Sequence, residues 1–518
     1  MRILPLLSLA LLCGTAQAQT TFFVDVQSGN DANTGLTPAT AFQTIPQALS
    51  VASTNPAVVD TINVAPGFYP GGIFVNFNVK LEGRPEATIN GTTAGFGIFV
   101  DSQTAEISAE TQVKNFTFLG DPGSDQEVIG VLLSGPRAMS PRVENNRFQD
   151  CYYGIVLAQG LFPGALAEGV SRPLLRYNEM VGPEILGKNP ESTGIFLSSD
   201  REAEPELIAN RISSYTFGVD QIGMLVEGTP SLRPRLRSEF IWRCATGVRA
   251  RTGTATRVTN ESIALDDAPF DVPSGTAIGV ESTSETALLL TNSIVWTMDD
   301  PGGFYLGDDV VGAVTVASSI LFDGGVGSIP GIASPGFVDL SSGDLELTST
   351  SPALDIGNSG LVLPGGADVI RHDVRGNPRV LDGQLAGAPI VDIGAHEFNT
   401  AVLDISAPGL LPGYVASGRP MVDVPAGVAL LITMTCPAGL APVFWFGPAS
   451  AAVNLVSVPF FGNLLILPTS TLLPFVGPAA VPFPPGTNEL EIHFQGVCGN
   501  LAGIGSMTRV IEVEGNLP

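Results

Sequence analysis

The sequence predicts an all-β solenoid, a parallel β-helix, and three observations carry that prediction. Asn115, Asn146, Asn178, Asn210, Asn260 and Asn292 each sit in a short apolar phrase: VKNFTF, ENNRF, RYNEM, ANRIS, TNESI, TNSIV. Their spacing is nearly constant except between Asn210 and Asn260, where Glu239, in SEFIW, divides the long step. Gly followed by Ile or Val recurs at Gly130, Gly154, Gly194, Gly218, Gly247 and Gly279, at one fixed offset from the Asn-type position in three repeats (146/154, 210/218, 239/247). Within a repeat the apolar runs are short, as in Ile155–Leu157 and Ile195–Leu197, and Gly, Asn, Ser and Pro split them.

A period of roughly 30 residues means stacked repeats. Short apolar runs between turn residues are strand chemistry, without the i, i+3, i+4 spacing of a helical repeat. Two or three short strands per repeat suit coils that pair with one another through their backbones. A leucine-rich repeat is the competing architecture, and its L-x-x-L-x-L pattern does not occur. The recurring Asn has a physical reason: it tolerates a left-handed turn, and its amide can bond the Asn of the next coil as an internal ladder.

In chain order, Arg2, the apolar run 3–12 and Ala16-Gln17-Ala18 read as a signal peptide over residues 1–18, cut after Ala18. Leu12 stands where a lipoprotein site at Cys13 would need a small residue. Residues 19–95 are expected to form the N-terminal cap and first coils. There Thr44-Ile45-Pro46-Gln47 matches a capping box, opening a short helix to about Thr54 that covers the end of the solenoid. TINVAPGFY (61–69) and VKLEG (79–83) read as the first strands. Repeats follow over 96–339, with insertions at 160–172, 183–193 and 266–275 that a solenoid collects as loops on one side. Residues 340–398 end the solenoid and 399–413 are a linker. From 414 to 518 the Asn/Gly register is lost. Short apolar strands split by Pro and Gly (ALLITMT, PVFWFG, NLLILP, ELEIHFQG, TRVIEVEG) predict a small β-sandwich there.

The Asn and Gly-Ile repeats resemble the right-handed parallel β-helix family that includes pectate lyases. FVDVQSGNDANTGLTPATAFQTIPQAL (23–49) is similar to the N-terminal cap of secreted bacterial β-helices. SPALDIGNSG, HDVRGNPRV and VDIGAHEF, within 351–398, resemble the choice-of-anchor module of bacterial surface proteins. The resemblance implies the right-handed fold and export, and covers roughly residues 22–398. It implies no single chemistry, because such folds carry lyases, hydrolases and adhesins alike. The Gly-His-Gly and Arg-x-Lys signatures of the polygalacturonase branch are absent, and no pectate-lyase signature matches.

Composition narrows the partners. A formal charge of −26 and a pI near 4.3 disfavour nucleic acid and anionic membrane, and favour cations such as calcium. The apolar runs at 428–434 and 464–467 are too short to span a bilayer, so no transmembrane segment is expected. With 44% hydrophobic residues, 60 Gly and 41 Pro, the chain reads as a turn-rich β protein with a large core.

The candidate site residues fall into three groups. Arg233, Arg235, Arg237, Arg243, Arg249, Arg251 and Arg257 crowd into one repeat, a guanidinium cluster suited to an anionic polysaccharide. Glu204 and Glu206 precede Arg233 and Arg235 by the spacing that separates Gly218 from Gly247, which predicts a surface salt-bridge ladder instead for that pair. Arg249, Arg251 and Arg257 are left as candidate ligand-binding residues. The register of Asn260 and Asn292 places Asp267 below Asp299, with Asp266 and Asp300 beside them. Facing carboxylates in adjacent coils could hold calcium. The same close spacing would also suit a retaining glycosidase. Histidine is confined to His372, His396 and His493, outside the repeats and without zinc spacing. Cys151 and Cys244 hold equivalent repeat positions and should be buried and free.

The expected function is non-catalytic carbohydrate binding or adhesion by an exported cell-surface or matrix protein. The alternatives are a polysaccharide lyase or glycoside hydrolase acting in the β-helix groove, and a purely structural surface protein. Cys436 and Cys498 are expected to pair, stabilising the last domain by about 4 kcal/mol in the chain-entropy model. Alkylation without reductant followed by intact-mass analysis should label neither one, and labelling of both would contradict the pairing.

Overall fold

The computed structural model describes residues 19–398, apart from 85, 123–126, 160–168, 184–190, 266–275, 298–305, 363–372, 376–378 and 380–389. Beyond them it describes the backbone of ten strands between 402 and 516. Three long parallel sheets are stacked along residues 21–321. Sheet I has eleven strands, from Thr21–Val24 to Val314–Ala317. Sheet II has ten, from Gly67–Pro70 to Ile320–Leu321, and sheet III nine, from Ile73–Val75 to Leu306–Gly312. The chain visits them in the order I, II, III and returns to I one rung on. Thus Arg142–Glu144, Arg147–Gln149 and Tyr153–Gln159 make one coil, and Leu174–Arg176 pairs with Arg142–Glu144 to begin the next. This is the predicted right-handed parallel β-helix. The sheets end at Leu321, short of the Asp339 boundary read from the sequence.

Coil length varies while one turn does not. Gln112, Arg142, Leu174, Glu206, Arg235, Arg257, Leu289 and Thr315 stack in register in sheet I. The steps between them are unequal, Arg235 to Arg257 being much shorter than Arg257 to Leu289. From Gln112 onward, sheet I always passes to sheet II through two residues. The first takes a left-handed conformation: Asn115, Asn145, Tyr177, Ala209, Ser238, Asn260, Asn292 and Ser318 all have φ between 49° and 65°. The second points inward and builds a column: Phe116, Asn146, Asn178, Asn210, Glu239, Glu261, Ser293 and Ser319. The single Asn marker read from sequence is therefore two adjacent positions. Asn115, Asn260 and Asn292 belong to the bend, and Asn146, Asn178, Asn210 and Glu239 to the column. Both places favour Asn, one for its left-handed tolerance and the other for its amide, so the sequence merged them.

The column is a hydrogen-bond ladder. Asn146 Nδ2 donates to Asn178 Oδ1 (3.2 Å), Asn178 Nδ2 to Asn210 Oδ1 (2.9 Å), and Asn210 Nδ2 to Glu239 Oε1 (3.3 Å). The same Asn amides donate to Val113, Val143 and Leu175 carbonyls, each at 2.9 Å. Their oxygens accept the backbone N–H of the coil before, Phe116 to Asn146 (3.0 Å) and Asn146 to Asn178 (3.1 Å). Buried polar groups cost little only when satisfied in this way.

The recurring Gly solves a steric problem at the sheet III corner. A Cβ on Gly130 would lie 2.3 Å from Phe148, on Gly218 2.7 Å from Ile241, and on Gly247 2.6 Å from Ile263. Those contacts are the inward column of sheet II, which runs Phe118, Phe148, Met180, Ile212, Ile241, Ile263, Val295 and Leu321. Phe118 and Phe148 stack with ring centroids 4.9 Å apart. At the N-terminal end, α1 (Ile45–Ala52) buries Ile45, Ala48, Leu49 and Ala52 against the first strands. Thr44 caps it by accepting from Gln47 N, which is half of the predicted capping box; the Thr44 N–H donates to Asp31 Oδ1 (2.9 Å) rather than to Gln47.

The described residues between 340 and 398 pack on sheet II and its bends. Leu345, Val374 and Ala395 cover Ala209, Phe240 and Ala264, while Leu347, Ala353, Leu354 and Ile393 cover Ile294, Trp296 and Ile320. The bend asparagines dock this segment. Asn260 Nδ2 donates to the Asp392 and Gly394 carbonyls (2.9 and 3.2 Å), and Asn292 exchanges two bonds with the Asn358 backbone (2.9 and 3.2 Å). The three motifs of this segment close on one another through buried acids. Asp392 accepts from Asp355 N and Phe398 N, Asp373 from Arg375 N and Glu397 N, and Glu397 from Asp392 N and Arg379. His396 is structural: its Nδ1 accepts from Leu347 N (3.0 Å), and burial with nearby arginines brings its pKa to about 3.

Past 398, Val402–Ser406, Ala429–Thr435 and Ala479–Pro482 form one sheet. Leu490–Gly499 pairs with Ala441–Pro448, Gly505–Met507 and Ile511–Asn516 in another, which Met421–Pro425 extends, and Val456–Val458 pairs with Gly462–Leu464 in a third; Val402–Ser406 is thus a strand within the stretch 399–413 read as a linker. Cys498 is in register with Pro442 and Ser506, and Cys436 lies outside the described residues, as does their pairing. Among the described residues no helix is long and apolar enough to cross a membrane.

If the ladder holds the coils in register, Asn178→Ala orphans donors and acceptors on both neighbouring coils. The expected loss is about 1–3 kcal/mol for each buried group left unpaired. Thermal denaturation against the exposed control Thr252→Ala measures it; equal melting temperatures would contradict the ladder's role.

Candidate ligand-binding face

Sheet III presents its outer side as two rows of side chains crossing the coils. By register one row runs Phe74, Phe99, Leu132, Val156, Phe196, Asp220, Arg249, Glu281 and Val311. Beside it run Phe96, Ile129, Tyr153, Thr193, Phe217 and Thr246. The inward neighbours Val131, Leu133, Ile155, Leu157, Ile195 and Leu197 fill the core. Alternation puts Phe74, Phe99 and Phe196 outside between buried aliphatic neighbours, whereas Phe96, Tyr153 and Phe217 precede the inward-facing Gly97, Gly154 and Gly218, where the alternation is broken.

Two aromatic groups result. Phe74, Phe96 and Phe99 have centroids 5.3 to 6.2 Å apart, and Phe74 is 56% exposed. Farther along, Tyr153 lies 4.8 Å from Tyr152 and 5.9 Å from Phe196. Burial, with Tyr152 and surrounding acids, pushes the Tyr153 phenol up to about 12, so it stays a neutral donor and acceptor. Next comes a charged knot. The buried Asp220 carboxylate accepts from Arg249 Nε and Nη2 (2.9 and 2.8 Å) and from Arg251 Nη2 (2.6 Å). The Arg249 guanidinium lies 3.5 Å from the Phe217 ring centroid, and that of Arg251 6.0 Å from Phe196. A carboxylate committed to two guanidiniums is a buttress for them rather than a free base.

The three arginines singled out from sequence therefore separate. Arg249 and Arg251 meet around Asp220, whereas Arg257 is exposed on sheet I, in register with Arg235 and Leu289. They do not line one groove. Glu281 is the register partner of Arg249, and Asp308 continues the neighbouring row through Ile278, so the two arginines of this face stand among acids. Sequence reasoning missed Asp220, although the signal was present. Its spacing from Arg249 is the one that relates Glu204 to Arg233.

That ladder forms on sheet I and extends beyond it. Glu204 pairs with Arg233 (3.1 Å) and with Arg172 of the preceding coil (2.9 Å), and Arg233 also meets Glu202. Glu206 is in register with Arg235, but its carboxylate pairs with Arg237 (3.1 Å). Lys114 bridges to Glu82 (3.1 Å), and Glu144 to Arg142 and Arg176 (2.6 and 2.8 Å). Burial raises the Glu144 pKa, but the two guanidiniums outweigh it and hold the carboxyl below its ordinary value.

Asp266, Asp267, Asp299 and Asp300, the calcium candidates, lie outside the described residues. The strands before them do keep the register of Asn260 and Asn292 on which that expectation rests, Leu265 against Thr297. Close by, Asp309 is buried and bound by Thr297 N and Oγ1 (3.0 and 2.7 Å) and Asp323 N (2.7 Å), with burial raising its pKa to about 6. Cys151 and Cys244 are buried and free, as expected. Burial pushes the Cys244 thiol up to about 12 and Cys151 up as well, which makes both poor nucleophiles.

No protein-family model matches the chain, and no curated protein matches it.

Replacing Asp220 with Asn should leave two adjacent guanidiniums without their common anion. The expected loss is about 1–3 kcal/mol, and combining it with Arg249→Gln should cost less than the sum of the two. Denaturant melts of the three variants test this; strict additivity would contradict the shared knot.

Proposed function

We propose that the protein binds carbohydrate without transforming it, along the outer face of sheet III. The supporting observation is the row of aromatic rings on that face: Phe74, Phe96 and Phe99 at one end, Tyr153, Phe196 and Phe217 farther on. Soluble proteins seldom leave such rings together in water unless they meet a ligand. Rings stack on the apolar C–H faces of sugars, and fixed polar groups beside them, here Arg249, Arg251 and the Tyr153 hydroxyl, bond the hydroxyls. Coils lie about 4.8 Å apart, so an extended glycan crossing them meets a new ring or polar group at each step.

Charge selects among glycans. The guanidinium cluster suggested an anionic polymer, but Arg233, Arg237, Arg249 and Arg251 carry acidic partners in a chain of net charge −26. A neutral polysaccharide fits this better, since it forgoes no ion pairing and meets no repulsion. The sequence motifs support kinship with pectate-lyase-like β-helices carrying a choice-of-anchor-like segment. Together with residues 1–18 they support export to the cell surface or matrix, where such a ligand is met.

Retention on a panel of immobilised neutral and acidic polysaccharides tests the reading, with absorbance of new unsaturated ends recorded in parallel. Retention on a neutral polymer is expected, with Phe74→Ala and Phe196→Ala each weakening it by roughly 2- to 10-fold. Absence of retention on every polymer, or the appearance of unsaturated ends, would overturn it; the latter identifies a lyase.

A further inference from the structure

The amide ladder changes character at Glu239. Its neighbours on one side are Asn146, Asn178 and Asn210, in which every rung has both a donor and an acceptor. Glu239 and Glu261 follow as consecutive rungs, and both are fully buried. Asn210 donates its backbone N–H to Glu239 Oε2 (3.1 Å) and its Nδ2 to Oε1 (3.3 Å). Glu239 N donates to Glu261 Oε2 (2.8 Å), repeating the first of those bonds one coil on. The second bond has no counterpart, and Glu261 Oε1 is buried without a partner. A carboxylate at 239 has no hydrogen to give it; a carboxylic acid has one.

We propose that Glu239 and Glu261 share one proton, which completes the ladder, and that this proton keeps Arg379 and the stretch 390–398 docked on the solenoid. The groups facing the pair are few. Asn210 lies on one side, and Ser293, which accepts from Glu261 N (3.1 Å), on the other. From the docked segment comes Arg379, fully buried, whose Nη2 donates to Ser238 Oγ (2.8 Å) and the Ala395 carbonyl (2.6 Å). Its Nη1 is 3.4 Å from Glu397, which with Asp392 and Asp373 makes the surroundings acidic. His396 stays neutral, and Arg375 is engaged by Glu346. Losing the proton sets two anions face to face in a buried column. Water can reach them by lifting the roof over this corner, which consists of Arg379, Asp392, Gly394 and Ala395 bonded to Ser238, Asn260 and Ser262.

The sign follows from linkage. Burial first, then the facing carboxylate, raises Glu239 well above 4.5, and burial likewise raises Glu261. The folded state keeps a proton that the unfolded or undocked state loses, so stability is full below about 4.5 and falls as pH rises above it. Asp392 and Asp309, both raised, act in the same direction; Glu144, lowered, acts oppositely and only in acid.

Amide hydrogen exchange of residues 390–398 in the intact protein, followed from pH 5.5 to 8.5 after correction for intrinsic rates, tests the proposal. The opening constant of the wild type should rise with pH, by up to about tenfold per unit for a single proton. Glu239→Gln supplies a permanent donor and should flatten that rise while protecting the segment at pH 8.5. Glu261→Gln, which can donate back to Glu239, should do the same if the first variant folds poorly. A wild type without pH dependence, or Gln variants that keep the wild-type slope, would overturn it.

Discussion

The structure depends on a turn of two residues that cannot change. A left-handed residue followed by an inward one carries the chain from sheet I to sheet II in every coil from Asn115 to Ser319. The left-handed conformation is costly for most residues, and here Tyr177, Ala209 and Ser238 adopt it as well as Asn. Stacking over-determines that conformation: the ladder, the sheet bonds on both sides and the core beneath require the bend at one place in each rung.

Fixing one corner frees the others. Unequal steps, such as Arg235 to Arg257 and Arg257 to Leu289, share one register in sheet I because the variation falls on the turns bordering sheet III. The candidate binding face is consequently bordered by the parts of the chain most able to change, on a sheet whose inward side is packed into the apolar core. Rigid support beside variable loops is the usual arrangement for recognition. Glycines on the inner corner of sheet III complete it by letting Phe148, Ile241 and Ile263 approach, so the sheet lies close on its core.

The fold was legible because its constraints are local and repeat. Asn, Gly and apolar runs recur at fixed offsets, and Thr44 with Gln47 marks the start of the capping helix. The role of residues 340–398 was less legible. Sequence can show that Asp373, Arg379, Asp392 and Glu397 sit in motifs, but the bonds from this segment to Ser238, Ser262 and Asn292 join positions 66 to 141 apart. The ladder's two glutamates were obscured for another reason. Glu239 was visible as an irregular marker, but Glu261 follows Asn260 directly, and the Asn drew the register by one position. The candidate face was legible only in part, since Phe74, Phe196 and Phe217 share a face through coils of unequal length and no fixed period predicts it.

The central claim is that the inward column carries the stability of the solenoid. Hydrogen exchange resolved to single amides tests it most directly, because the N–H groups of Asn146, Asn178, Asn210 and Glu239 each bond the side chain of the next rung. At pH 5.5, at the foot of the rise in opening, these four should exchange together, at the slowest rate in the molecule and by global unfolding. Fast or unequal exchange among them, with sheet amides still protected, would contradict it.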